Sequence, residues 1–273
     1  GCERGAWADG SRVLHDHHPY GALSFEQVLI KSSNIGMAKI GKRLGNKRIH
    51  TYLKAMGFGN KSGVDLVGED PGMMLPLNRW TSFSTTSLPI GQEISVTPLQ
   101  MARAFCVFAN GGLLVKPYIV RAVMAPDGRV VTDFSNSEPQ ERVIPESIAN
   151  TMKNKILRAV VETGTGSKCR LARYDVFGKT GTAQIARKGG GGYLKDAYVS
   201  SFVAAAPSRD PQLVVIVAVT KPTKSIGYYG GTVAAPVVRE ILSHALAYLQ
   251  IPPDRAEAQV LSSSVLTDAG PAD

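Results

Sequence analysis

The last third of the chain changes hydrophobic period, and that change restricts its fold more than any other feature. Residues 175–186, 197–206 and 212–221 read as strands, the third apolar from 213 to 219 as a buried central strand is. Short polar connections make them antiparallel neighbours in sequential order. Pro236 then opens a helix whose stripe of Val238, Ile241, Leu242, Ala245 and Leu249 can lie across that sheet. Beyond Pro252 the composition turns to Asp, Ala, Ser, Gly and Pro, which predicts one main domain over 1–253 and a disordered tail over 254–273.

The upstream residues read as helices joined by irregular chain. Ser24 and Gln27 form a capping box for a short helix through Lys31, and a second helix runs from Asn34 to Leu44 before Gly45 stops it. Asn46 opens a further helix carrying Ile49, Leu53 and Met56, which ends at Gly57, and the Gly- and Asp-rich stretch 59–72 is loop. Thr97-Pro98 starts a helix and Asn110-Gly111-Gly112 stops it, with Met101, Ala104, Phe105 and Phe108 on one face. Pro126-Asp127-Gly128 turns a hairpin between 118–125 and 129–134, and a long helix covers 145–161.

With 273 residues, 44% of them hydrophobic, the chain can bury a large core, and it has no apolar run of the ~18 to 20 residues that a membrane helix needs. Its 31 Lys and Arg against 22 Asp and Glu give a net charge of +9, which suits anionic surroundings. The basic residues are scattered and do not interleave with aromatics, so a solvated basic surface is favoured and nucleic acid is not an expected partner. The 3 cysteines, Cys2, Cys106 and Cys169, form no CxxC pair and leave the redox compartment open.

Two short motifs carry chemistry. Lys179-Thr180-Gly181-Thr182 lies on the first predicted strand, so Lys179 and Gly181 share one face and Thr180 and Thr182 the other. Such a strand presents an ammonium and hydroxyls to an anion, and Gly181 lets a substrate backbone come close. Ser32-Ser33-Asn34 sits between two predicted helices. By itself each motif has a plain structural reading, the first as a charged strand with a glycine bulge and the second as capping groups.

Together, and with their surroundings, they resemble class B penicillin-binding proteins. The segment 23–36 around Ser32-Ser33-Asn34, Gly91-Gln92-Glu93-Ile94-Ser95-Val96-Thr97-Pro98-Leu99-Gln100, Ala109-Asn110-Gly111-Gly112, residues 178–184, and Tyr229-Gly230-Gly231 with Ala234-Ala235-Pro236 all fall where that family has them. The resemblance covers residues 21–254. It implies an α+β fold of the penicillin-binding protein and serine β-lactamase class, an antiparallel sheet flanked by helices. It implies acyl transfer from D-Ala-D-Ala stem peptides through an acyl-serine, no cofactor and no metal, and β-lactams as mimics of the substrate. It also implies an extracytoplasmic place on a membrane-anchored protein, beside a cell-wall synthase complex.

Carried over by position, Ser32 joins the proton relay, Asn34 bonds the substrate amide, and Lys179 supplies charge and holds the hydroxyl network. Thr180 and Thr182 bind the terminal carboxylate, and the Thr182 N–H is an oxyanion donor. The departure is the family's Ser-x-x-Lys segment: no serine in the chain has lysine three residues later. That segment precedes Ser-x-Asn in the family, so the nucleophile is expected upstream of Gly1 and the 273 residues alone are expected to be inactive. The rival from another class is a non-catalytic sensor or scaffold that uses the same cleft to bind a β-lactam or muropeptide. A β-lactamase is a further rival, without an evident deacylating Glu loop. His15, Asp16, His17 and His18 with Cys2 suggest a metal site, but adjacent histidines converge poorly on one ion and the segment reads as a loop.

Overall fold

A computed structural model of the chain describes residues 1–134, 141–190 and 192–255. In chain order its elements are β1 (Ala6–Asp9), β2 (Arg12–His15), α1 (Phe25–Lys31), α2 (Asn34–Ala55), β3 (Met73–Met74), α3 (Ser84–Ser87), β4 (Ile94–Ser95), α4 (Pro98–Ala109), β5 (Leu113–Leu114), β6 (Ala122–Met124), β7 (Val130–Asp133) and β8 (Glu141–Arg142). A helical run follows from α5 (Glu146–Thr151) through a π-helical stretch (Met152–Leu157) to α6 (Arg158–Glu162). The last elements are β9 (Phe177–Ala186), β10 (Tyr193–Ala206), β11 (Leu213–Thr220), α7 (Gly230–Val233) and α8 (Ala235–Tyr248). The chain forms two compact units, Gly1–Ser33 with Thr151–Asp273, and Asn34–Asn150.

The first unit is built on an antiparallel sheet of order β11-β10-β9, the sequential order expected. From Phe202 to Ala206 the middle strand is buried at every residue. One of its faces, with Phe202, Ala204 and Ala206, packs on Val238, Leu242 and Leu246 of α8, and Leu213, Val215 and Val217 of β11 extend the same layer. Directly paired residues share a face, so Lys179, opposite Val203, lies on the face away from α8. Among the described residues β11 is an edge strand with no fully buried residue. Its apolar run therefore does not mark a central strand; that place belongs to β10, whose small Ala204, Ala205 and Ala206 let neighbours approach on both sides.

The helix α8 also departs from its expected stripe. Val238, Leu242 and Leu246 with Ala235 are buried, whereas Ile241 and Leu249 are exposed. A stripe drawn from apolar residues alone is wider than the line that meets the sheet. Asp254 and Arg255, the first two residues of the expected tail, are anchored. Asp254 Oδ1 accepts from the Asp175 N–H at 2.7 Å, and Arg255 Nε donates to Asp175 Oδ1 at 2.6 Å. Residues 256–273 lie outside the described residues.

In the second unit the helix signals act as written. Gly45 breaks α2 with φ 75 and ψ 161, values open to glycine and closed to a side chain, so the run splits where the sequence places a stop. Thr97 caps α4 with a capping box to Gln100, whose side chain is buried and donates to Asn60 and Pro71 carbonyls at 2.8 Å each. The buried line of α4 is accordingly Gln100, Ala104, Phe105 and Val107, with Met101 and Phe108 only half-buried. The hairpin turns at Pro126-Asp127-Gly128 between β6 and β7. No helix among the described residues is long and apolar enough to cross a membrane.

The packing of α8 is testable by truncation. Leu242→Ala removes a fully buried side chain and is expected to cost about 2–5 kcal/mol of stability, with Ile241→Ala within about 1 kcal/mol of wild type. Urea midpoints at unchanged slope give the comparison.

Candidate active site

Ser24 caps α1 with a capping box: its side chain accepts from the Gln27 N–H, and the Gln27 side chain accepts from the Ser24 N–H. The helix ends at Ser32, which adopts the left-handed conformation (φ 56, ψ 46), with its N–H directed to the Leu29 and Val28 carbonyls. For a residue with a Cβ that conformation costs roughly 1–2 kcal/mol. It leaves the Ser32 side chain exposed while Ser33 is buried.

Across the sheet, β9 brings Lys179 to that turn. Lys179 Nζ donates to Ser32 Oγ at 2.7 Å, although 147 residues separate the two, and to the Thr180 carbonyl at 3.0 Å. Thr180 Oγ1 lies 2.8 Å from Thr165 Oγ1, and either hydroxyl can donate. Thr182 Oγ1 accepts from the Gly230 N–H at 3.0 Å, which leaves its own O–H proton free for a ligand. A Cβ on Gly181 would stand 2.5 Å from Ser201 Oγ. That contact is with the end of a side chain, which rotation of Ser201 about its Cα–Cβ bond can relieve.

Lys179 is half-buried, and loss of water from its ammonium pushes its pKa down to about 8. A cation held this way is poised to bind an anion at neutral pH. The structure thus joins Ser32, Lys179, Thr180, Gly181 and Thr182 in the first unit. Asn34 is exposed at the start of α2, the first residue of the second unit.

Two contributions are not given by residue type. Thr165 sits in a Gly-rich loop that gives no sign of its partner on β9. The Gly230 N–H acts through a backbone contact, which residue type does not encode. The segment expected to be loop around His15 begins instead as β2, with His15 opposite Ala6. Strands of four residues are too short for alternation to register. Among the described residues no three His, Cys, Asp or Glu side chains are grouped to hold a metal ion.

The family model described as "Penicillin binding protein transpeptidase domain" matches residues 2–243. The chain is 36% identical to stage V sporulation protein D of Bacillus subtilis, over 93% of this chain and 39% of that protein. It is also 36% identical to the probable peptidoglycan D,D-transpeptidase PbpC of Pseudomonas aeruginosa, over 90% of this chain and 41% of that protein. The crystal structure of penicillin-binding protein 3 from Mycobacterium tuberculosis complexed with ampicillin superposes with a TM-score of 0.81 at 33% identity, covering 93% of this chain and 57% of that one. The chain therefore spans about two fifths of the length of these curated relatives.

The depressed lysine has a signed consequence. Between pH 8 and the ordinary lysine value the unfolded chain holds a proton that the folded one has released, so this group's cost to stability is full below pH 8 and fades as pH rises. Lys179→Met is expected to be at least as stable as wild type at pH 7, with its advantage shrinking toward pH 10 in urea titrations. Ser32→Gly relieves the left-handed strain but loosens the unfolded chain, and is expected to stay within about 1 kcal/mol of wild type.

Proposed function

Because the chain belongs to the penicillin-binding protein transpeptidase domain family, we propose that the protein carrying it is a serine-type D,D-transpeptidase that cross-links peptidoglycan and is acylated by β-lactams. The observation that carries this reading is the 2.7 Å bond from Lys179 Nζ to Ser32 Oγ, which joins the Lys-Thr-Gly strand to the serine at the end of α1.

In this reading the hydroxyl of a Ser-x-x-Lys segment outside these 273 residues attacks the carbonyl of the penultimate D-alanine and passes its proton to the lysine of that segment. The peptide C–N bond breaks, and the leaving D-alanine takes a proton relayed through Ser32. Lys179 donates to Ser32 Oγ, so the Ser32 O–H proton is free to point at the leaving nitrogen. The amine of a second stem peptide then attacks the acyl ester and releases the serine. Thr180 and Thr182 hold the terminal carboxylate, the Lys179 ammonium adds charge, Gly181 keeps the strand open to the substrate backbone, and Asn34 bonds the substrate amide. The Thr182 N–H stabilises the oxyanion. Stem peptides and β-lactams are the small partners, and a cell-wall synthase complex on the outer side of the cytoplasmic membrane is the setting.

Intact mass after incubation with benzylpenicillin tests this. One adduct is expected on the protein that contains both this chain and a Ser-x-x-Lys segment, at the serine of that segment. Residues 1–273 alone are expected to take none, once circular dichroism has shown a cooperative fold. A stoichiometric adduct mapped to any serine within residues 1–273 would overturn the assignment of the nucleophile.

A further inference from the structure

Asp16 and His17, two of the residues in the His15–His18 segment, are neighbours of the candidate site in the fold. Their side chains reach in two directions. Asp16 Oδ2 accepts from Ser33 Oγ at 2.7 Å, and Ser33, 1% exposed, also lies 3.3 Å from Cys2 Sγ. His17 stacks on Tyr229 with ring centroids 4.3 Å apart and planes 23° apart, and its Nδ1 lies 3.2 Å from the Tyr229 hydroxyl. Consecutive residues thus grip the neighbour of Ser32 on one side and the neighbour of Gly230 on the other.

Both grips lead to the site by short paths. Ser33 is held twice, by its N–H on the Val28 carbonyl at 3.0 Å and by its hydroxyl on Asp16. Fixing Ser33 fixes the left-handed Ser32 beside it, a conformation that persists only where the surroundings over-determine it. On the other side Gly230 leaves no room for a side chain, since a Cβ there would overlap the Ser201 carbonyl and stand 2.5 Å from that of Gly181. The chain at Tyr229 and Gly230 therefore rests backbone on backbone against β9 and β10, and Gly230 donates to Thr182. Asp16 itself is anchored, its N–H donating to the Gly5 carbonyl at 3.1 Å where the β1–β2 hairpin ends.

We propose that Asp16 and His17 form a positioning clasp that fixes the Ser32 turn relative to the Lys179–Thr182 strand, and so sets the rate of the acyl-transfer step without touching substrate. The proposal rests on the transpeptidase reading for its rate effect, and on geometry alone for its effect on Lys179. A displacement of about 1 Å at such a contact is enough to slow a reaction by up to roughly a hundredfold.

The test uses the full-length protein and a fluorescent penicillin, with the affinity and the acylation rate constant measured separately. Asp16→Ala and His17→Ala are expected to lower the rate constant by roughly tenfold with affinity little changed. Asp16→Asn, which keeps an acceptor for Ser33, and His17→Phe, which keeps the stack, are expected to stay within about threefold of wild type. His17 is exposed, so His17→Ala is read in a folded protein even where Asp16→Ala is not. The second readout is the titration of Lys179 followed by NMR. Water admitted by a loosened Ser32 turn is expected to raise it from about 8 in both alanine variants.

Wild type unreactive to penicillin would sink the transpeptidase reading and leave the clasp to be judged on the Lys179 titration. Rate constants within twofold of wild type in His17→Ala and Asp16→Ala, or a Lys179 titration that does not move in either, would overturn the clasp. So would Asn and Phe variants as slow as the alanines, or a loss confined to affinity.

Discussion

Burial of β10 on both faces is the constraint on which the rest of the first unit depends. From Phe202 to Ala206 no residue of the strand reaches water appreciably, and its pairing places Val203 opposite Lys179 and Ser201 opposite Gly181. A slip of one residue would turn Lys179 toward α8 and pull Phe202 out of the core. The position of the Lys179 amine is therefore decided by apolar packing along the strand pair, and its own hydrogen bonds come afterwards. Burying a Phe or Leu side chain is worth about 1.5–3 kcal/mol, more than a hydrogen bond nets in water, which is why the core and not the site sets the register.

Two unfavourable terms meet in the contact that this register creates. Ser32 holds a left-handed backbone despite its side chain, and Lys179 keeps an ammonium short of water. Neither is accounted for by local preference. Both serve a charge and a hydroxyl aimed at one place, and the surrounding elements hold them there. The anchored segment from Gly5 to Gly21 belongs to this support, since Cys2 and Asp16 close on Ser33 while the Cys2 N–H donates to the Gly21 carbonyl. Just before β9 begins, Arg158 and Arg255 both pair with Asp175.

Much of the fold is legible without coordinates because it is written in local chemistry. Capping boxes at Ser24 and Thr97, the stop at Gly45 and the turn at 126–128 each depend on residues within one turn of one another. The order of β9, β10 and β11 is equally legible, since short connections permit little else. The two site motifs are visible too, but only as a pair, because each alone is explained by capping or by an ordinary strand. Edge and centre are not legible: Leu213 to Val219 and Phe202 to Ala206 are both apolar, and only pairing shows which strand has neighbours on both sides. The exposed Ile241 and the buried Gln100 fail for a similar reason, since burial depends on what faces the helix as well as on the side chain.

The amino-acid sequence by itself determined the family, the strand order, the helix limits and the two motifs that mark the candidate site, because motifs and periodicity act over short range. Tertiary structure alone decided that Lys179 reaches Ser32, that Thr165 meets Thr180, that Asp16 reaches Ser33 and that His17 stacks on Tyr229. Those contacts join residues 15 to 212 positions apart, and what brings them together is burial of the apolar core, to which a motif read along the chain is blind.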